Sequence, residues 1–339
     1  MLTDRRPGFA CRRHSPAIPL ILILIIMVGG AQPAAAEPTA KATSPEPATQ
    51  WVRCGALWDG RSPTRGPVLI EVRGERIASV RKGATPPTDA ASIDLTGRTC
   101  LPGLIDTHTH VLLQGDITAE DYDAQLLKQS PEYRTILATQ NARRMLEWGF
   151  TSIRDLETEG AGYADVDVRD AIARGIIPGP RMQVAGRAMD VTGAYPLLGY
   201  APQLTVPKGV EETDGVEGVR RTVREQLSHR VDWIKVYSDR SYKVVDNGVL
   251  DDIPTFTLDE LKAAVDEAHR QRHRIASHAI ALNGVHNSVE AGVDSIEHGA
   301  YIADEDLRLM VRKGIYYVPT VYVEEYVAEG RARSGAAVV

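Results

Sequence analysis

Four times in this chain a helical segment stops at a glycine and an apolar, β-branched stretch follows it. Gly149 precedes Thr151 to Asp155, Gly175 precedes Arg181 to Val184, Gly292 precedes Ser295 to His298, and Gly314 precedes Ile315 to Pro319. A glycine just past a helix end takes the left-handed backbone that other residues resist, and a repeated helix, glycine, strand order is what a parallel sheet with crossover helices requires. A βα barrel or an open α/β sheet is therefore expected. Strand centres at Leu104, Ser152, Met182, Ile234, Ile275, Ile296 and Tyr317 make seven, one short of the eight that close a (β/α)₈ barrel. The helices agree: Thr257-Leu258-Asp259-Glu260 reads as a capping box, and Val216, Val219, Val223 and Leu227 recur at helical spacing.

At 339 residues and 43% hydrophobic content, the chain has room for one large domain and a small one. A net charge of -6 leaves no electrostatic footprint for nucleic acid. The N-terminus follows another logic. Arg5, Arg6, Arg12 and Arg13 precede an apolar run from Ile18 to Val28, and Ala34-Ala35-Ala36 offers small residues for cleavage. That order describes a secretory signal peptide over 1–36, and its apolar run is short for a membrane span of roughly 20 residues. Export to the periplasm or beyond, cleavage after Ala36 and no stable membrane insertion are expected. Residues 37–50, rich in Pro, Ala, Thr and Ser, read as a flexible linker. Residues 51–100 read as a small antiparallel β module of short strands at Val52 to Leu57, Val68 to Val72 and Arg76 to Val80. The barrel occupies 101–339. Of the three cysteines, Cys11 leaves with the signal. Cys54 and Cys100 are expected as buried free thiols, although an exported compartment would permit a disulfide.

Chemistry-bearing residues gather where strands end. In Leu104-Ile105-Asp106-Thr107-His108-Thr109-His110 the period of two sends both imidazoles to one face of a buried strand, which suggests a metal. His278 closes Ile275-Ala276-Ser277-His278, and His298 falls in Ser295-Ile296-Glu297-His298-Gly299. Lys235 sits inside the apolar strand Trp233-Ile234-Lys235-Val236-Tyr237, where an ammonium is costly unless paired or chemically altered. Tyr237 shares the face of Lys235, and either hydrogen-bonds a substrate carbonyl or carboxylate, a catalytic role, or packs over the site. Arg154 and Asp155 read as a structural ion pair or as pocket lining. His14 falls in the signal, and His229, His269, His273 and His286 fall on helical stretches as surface residues.

With these residues in this order, the chain from about Trp51 to Tyr322 resembles the amidohydrolase superfamily, in its imidazolonepropionase-like and Xaa-Pro dipeptidase-like branch. The carriers are Pro102 to His110, Gly149 to Asp155, Gly179-Pro180-Arg181, Asp232 to Lys235, Ser277-His278-Ala279 and Ile296 to Gly299. The resemblance implies a (β/α)₈ barrel with a β-sandwich built from both chain ends. It implies two divalent metals, zinc above all, with His108 and His110 on the first, His278 and His298 on the second, and Lys235 bridging them as a CO₂-derived carbamate. The implied reaction is hydrolysis of an amide or peptide C–N bond in a small-molecule or dipeptide substrate by a metal-activated water. Hydrolysis of a cyclic amide or lactone, or an inactive remnant, are the alternatives. A homo-oligomer is left open.

Two departures from that pattern bear on the expectation. The family's further ligand and proton acceptor is an Asp in a Gly-Thr-Asp-like motif on the eighth strand, and no such motif follows Pro319-Thr320-Val321 before Val339. A fragment is therefore expected, lacking the last barrel strand and the C-terminal half of the sandwich, with weak or no activity. In Thr192-Gly193-Ala194-Tyr195-Pro196 many relatives have Thr-Gly-Gly-His-Gly, so that Tyr195 replaces a site histidine and substrate preference does not carry across.

Overall fold

The computed structural model describes residues 48–62, 66–113, 122–195, 200–245 and 248–323. The expected signal peptide, all but the end of the expected linker, and the last residues of the chain lie outside them.

The N-terminal unit consists of β1 (Thr49–Leu57), β2 (Val68–Arg73), β3 (Arg76–Lys82) and β4 (Ser92–Cys100). Their order in the sheet is β3-β2-β1-β4, with β1 antiparallel to β2 and parallel to β4. The three expected strands pair antiparallel as read, and the parallel β4 is an addition to them. β4 is a strand that its polar composition hid, and the connection after Lys82 carries the chain back along the sheet, so β4 starts at the same end as β1. The described residues of this unit form a single sheet, and a sandwich would need a second layer over it. Ile77, Val80 and Ile93 remain exposed on it.

The expected free thiols are corrected. Cys54 and Cys100 form a disulfide. The parallel register places Leu57 beside Cys100 and Cys54 beside Leu95, with a bulge between Cys54 and Ala56, and this brings the two cysteine Cα atoms to 5.9 Å. That pairing depends on a strand which was not legible in the sequence.

Then the rhythm of helix and strand begins. The elements are β5 (Leu104–Thr109), α1 (Tyr122–Lys128), α2 (Pro131–Glu147), β6 (Phe150–Asp155), α3 (Ala164–Ala173), β7 (Arg181–Val184), β8 (Met189–Asp190) and β9 (Glu211–Glu212). They continue with α4 (Gly215–Ser228), β10 (Trp233–Tyr237), the hairpin β11 (Asp239–Val244) and β12 (Leu250–Pro254), α5 (Leu258–Arg270) and β13 (Arg274–Ala279). α6 (Leu282–Ala291), β14 (Ser295–His298), α7 (Asp304–Lys313) and β15 (Tyr316–Val318) complete the described chain. α6 and α7 end at Gly292 and Gly314 in the left-handed conformation, and Thr257 starts α5 with the expected capping box.

All seven expected strands form, and all pair in parallel, in two ladders. One ladder is β5-β6-β7 and the other runs β15-β14-β13-β10-β8-β9. They meet where the Asp232 amide donates to the Val184 carbonyl at 2.8 Å and the Asp232 carboxylate accepts the Val184 amide at 2.9 Å. Thr107, Ser152, Arg181, Trp233, Arg274, Ser295 and Tyr316, one from each of the seven expected strands, line a common cavity of about 660 Å³ at the N-terminal ends of those strands. The arrangement is an α/β parallel array around one centre. Among the described residues no strand joins β15 to β5, and both edges are open: Ile105 is 67% and Tyr316 68% exposed.

Packing explains why the array holds. Every residue of β10 is buried, the pattern of a strand covered on both faces. Outside it, Val219 and Val223 of α4 and Leu261, Ala264 and Ala268 of α5 join Ile234, Val236 and Ile275 in one core. Each fully buried aliphatic side chain of this kind contributes about 1.5–3 kcal/mol, enough for the shared core to override weak local propensities.

Removing the disulfide should show in the N-terminal sheet. Its 46-residue separation corresponds to a loop-closure contribution of about 4 kcal/mol in the chain-entropy model. Replacing both cysteines by alanine should therefore lower the unfolding midpoint of this unit, measured by hydrogen exchange at β1 and β2. A non-reduced peptide map should recover Cys54 and Cys100 in one linked fragment; two separately alkylated cysteines would contradict the pairing.

Candidate metal centre

At the opposite end of the parallel array, strand C-termini deliver polar side chains to a single point. His108 lies on β5 and His110 one residue past it; Lys235 lies inside β10, His278 on β13 and His298 at the end of β14. Parallel register sets Tyr237 beside His278 and Ala279 beside His298, which staggers the residues around the opening. All five residues singled out as metal ligands come together. The Nε2 atoms of His108 and His110 are 3.2 Å apart. The ring of His298 lies 4.9 Å from His108 and 4.5 Å from His278, between centroids. Tyr237 packs 4.5 Å from the His278 ring, and the Lys235 Nζ stands 5.1 Å from the Tyr237 ring.

Each imidazole is steered by a partner on its other nitrogen. His108 Nδ1 meets Glu297 Oε2 at 2.9 Å, His110 Nδ1 meets the Glu157 carbonyl at 3.3 Å, and His298 Nδ1 meets Thr320 Oγ1 at 2.8 Å. His278 is reversed: its Nε2 is held at 3.2 Å by the Tyr242 hydroxyl, which also reaches Asp239 Oδ1 at 3.0 Å. His298 adopts φ +73, a backbone that costs non-glycine residues about 1–3 kcal/mol and is concentrated at functional sites.

Electrostatics prepares the cluster for a cation ligand set. Loss of hydration pushes all four imidazoles below their ordinary pKa, and the nearby Lys235 ammonium pushes them further. For His110 and His298 the value falls to about 3. They are neutral rings with lone pairs. Burial also lowers the pKa of Lys235, against the attraction of Glu157 and Glu297. Its side chain is fully buried, and Nζ has no hydrogen-bond partner among the described residues. An unpartnered buried amine is rare because leaving it unsatisfied costs about 1–3 kcal/mol, more when charged.

Two carboxylates belong to the site that the sequence reading passed over. Glu157 and Glu159 follow β6 directly, and one oxygen of each lies with a His110 nitrogen inside a 4.8 Å group, close enough to share a cation. Tyr237 donates to Glu157 Oε2 and Tyr122 to Glu159 Oε2, each at 2.6 Å. Burial raises the proton affinity of both acids, and their mutual repulsion raises that of Glu157 further. Arg134 of α2 fixes their loop by donating to the carbonyls of Leu112, Thr158 and Glu159. The available signal was position: the two acids stand just past a strand end, as the histidines do. Tyr195 lies 5.0 Å from Tyr237 and walls the same corner.

Arg154 and Asp155 are not an ion pair with each other. Alternation along β6 sends them to opposite faces, Arg154 toward Glu297 at 2.7 Å and Asp155 toward the Val111 amide at 2.7 Å and the Thr109 hydroxyl at 3.1 Å. His229, His269 and His286 lie on or next to helices beside acidic neighbours, away from this cluster.

Known proteins resemble this chain over most of its length. The model of the amidohydrolase family matches residues 99–336. Ochratoxinase of Aspergillus niger is 33% identical over 245 residues, covering 66% of this chain and 48% of that protein. An imidazolonepropionase of Paenarthrobacter aurescens is 25% identical over 244 residues, covering 70% of this chain and 55% of its own. The chain thus spans about half the length of the curated relatives it matches. Among solved structures, a Xaa-Pro dipeptidase with methionine bound in its active site superposes with a TM-score of 0.73 at 33% identity, over 84% of this chain and 70% of that one.

The depressed imidazoles give a pH test on the metal-free chain. A histidine whose folded pKa is about 3 against 6.5 in the unfolded chain contributes stability that is complete above pH 6.5 and lost as pH falls toward 3. The stability gap between the parent and His298→Gln should therefore narrow by about 1.4 kcal/mol per pH unit below 6.5, or about 2 kcal/mol between pH 7 and pH 5, measured by urea unfolding. A gap independent of pH would mean that His298 is open to water.

Proposed function

Because the chain belongs to the amidohydrolase family, we propose that it is a metal-dependent hydrolase of amide or peptide C–N bonds, with dipeptides as its substrate class. The observation that carries this reading is the unpartnered, fully buried Lys235 amine set among four neutral imidazoles. Carboxylation by CO₂ would convert it into an anionic carbamate with two oxygen donors, which removes the cost of a buried cation. His108, His110, His278, His298 and the carbamate would hold two divalent ions, and nitrogen and oxygen donors of this kind suit zinc. When bound, such a pair lowers the pKa of a shared water and polarises a scissile carbonyl.

The remaining chemistry is that of the chain's own residues. Tyr237 holds its hydroxyl against Glu157. When Glu157 carries the proton that its burial favours, it donates to Tyr237, and the phenolic hydrogen is released toward a substrate carbonyl or carboxylate. Glu157 and Glu159 keep a proton within reach of the departing amine. Tyr195 and Tyr122 close the corner and exclude water from it. The similarity to a Xaa-Pro dipeptidase structure favours dipeptides, and the more distant imidazolonepropionase keeps cyclic amides as the competing class.

The wider organisation belongs to the same reading: a signal over 1–36, a linker to residue 50, a β unit over 51–100 and, over 101–339, an incomplete (β/α)₈ barrel to which the described residues contribute seven of the expected strands. A structural disulfide favours an oxidising, exported location. No described helix is long and apolar enough to cross a membrane.

Protein supplied with zinc and bicarbonate should carry about two metals per chain, and Lys235→Ala should lose at least one of them by elemental analysis; unchanged content would remove the bridging role. A panel of Xaa-Pro and other dipeptides, cyclic amides and lactones should show weak turnover, of dipeptides, reduced about tenfold to a hundredfold in kcat/KM by Tyr237→Phe. Turnover confined to cyclic substrates would overturn the dipeptide assignment.

A further inference from the structure

One imidazole of the cluster is held differently from the others. Glu297 is fully buried, and both of its oxygens are engaged. Oε1 accepts from Arg154 Nη2 at 2.7 Å and from Ser295 Oγ at 2.5 Å, while Oε2 faces His108 Nδ1 at 2.9 Å. The Arg154 guanidinium in turn lies over Trp233, its Cζ 4.4 Å from the ring centre, and donates through Nε to the Thr107 carbonyl at 2.7 Å and through Nη1 to Ser295 Oγ at 3.1 Å. One planar fork therefore grips the backbone immediately before His108 and the carboxylate that holds its ring. Lysine could not do both, because a point charge lacks the fork. The other three rings rest on neutral partners, a carbonyl for His110 and hydroxyls for His278 and His298. Asp239 stands 3.8 Å from His278, outside hydrogen-bond reach.

We propose that Arg154 and Glu297 are positioning residues that lock His108 in the tautomer with hydrogen on Nδ1, so that Nε2 is the lone pair offered to the centre; this rests on the reading of His108 as a metal ligand. A carboxylate paired with a guanidinium only accepts, so the nitrogen facing it must donate. A carboxylate behind a ligating histidine also makes the ring a stronger donor, and losing such a partner costs about tenfold to a hundredfold in metal affinity. His108 is thus the anchor of the cluster, and the chain from Trp233 through Arg154 and Glu297 is its mount. A network this buried has no freedom to reorient: the arginine side chain is 8% exposed and the glutamate 0%.

The test has two readouts. In metal-free, ¹⁵N-histidine-labelled full chain at pH 8, with His108 assigned by its loss in His108→Asn, the parent should show a protonated Nδ1 and bare Nε2. Glu297→Gln should show a mixed or reversed pattern. Zinc affinity by chelator competition should fall tenfold to a hundredfold in Glu297→Gln and by a smaller factor in Arg154→Lys, with the other three rings keeping their ¹⁵N shifts. An unchanged tautomer in a folded Glu297→Gln overturns the proposal, as does unchanged zinc affinity. If Glu297→Gln does not fold, Ser295→Ala, which removes one donor to Oε1, should still broaden the His108 tautomer signal, and an unaltered signal overturns the proposal. A parent chain that binds no zinc would instead fail the hydrolase reading, while the tautomer measurement stands apart from it.

Discussion

Everything at the functional end of this molecule is arranged around one costly choice, an amine buried in the middle of a parallel strand. β10 is covered on both faces, so the Lys235 side chain has no route to water. In such surroundings an ammonium is disfavoured by several kcal/mol unless it is paired, and among the described residues no hydrogen-bonding group stands at its Nζ. The acids at Glu157 and Glu297 attract it from a distance, burial and then its own charge keep the imidazoles neutral, and the Tyr237 ring lies 5.1 Å from its Nζ. A residue this unfavourable to stability points to chemistry rather than packing.

The parallel array makes that arrangement possible. Because every strand of the array runs the same way, every strand end opens on the same side, and groups far apart in sequence meet within a few ångströms. His108 and Glu297 are separated by 189 positions and stand 2.9 Å apart. The helices contribute mainly by covering the outer face, as α4 and α5 do over β10 and β13. The loops then add what the strands cannot, for instance the Glu157 to Glu159 turn clamped by Arg134.

Two kinds of holding coexist around the cluster. His108 is braced by a charged, fully satisfied network reaching down to Trp233, whereas His298 takes a left-handed backbone and a single threonine hydroxyl. The first is rigid because each atom has an assigned partner. The second stores strain, and Thr320 beside it also has positive φ, at +43.

Much of this was legible in the residues alone. Periodicity and glycine caps identified seven parallel strands, because burying a strand on both faces demands a continuous apolar run that survives in any context. Strand-end histidines and Lys235 stood out because polar residues are rare in such runs. What stayed hidden depended on pairing across long separations. The disulfide required β4 to lie parallel to β1, and β4 is too polar to announce itself. Arg154 and Asp155 looked like partners as neighbours in sequence, but alternation sent them to opposite faces. Glu157 and Glu159 drew no notice in the sequence, and only tertiary structure withdrew them from water. Local sequence determined which elements form and which residues they carry; the three-dimensional fold decided which charges face each other, because electrostatic partners are chosen by distance in space and not along the chain.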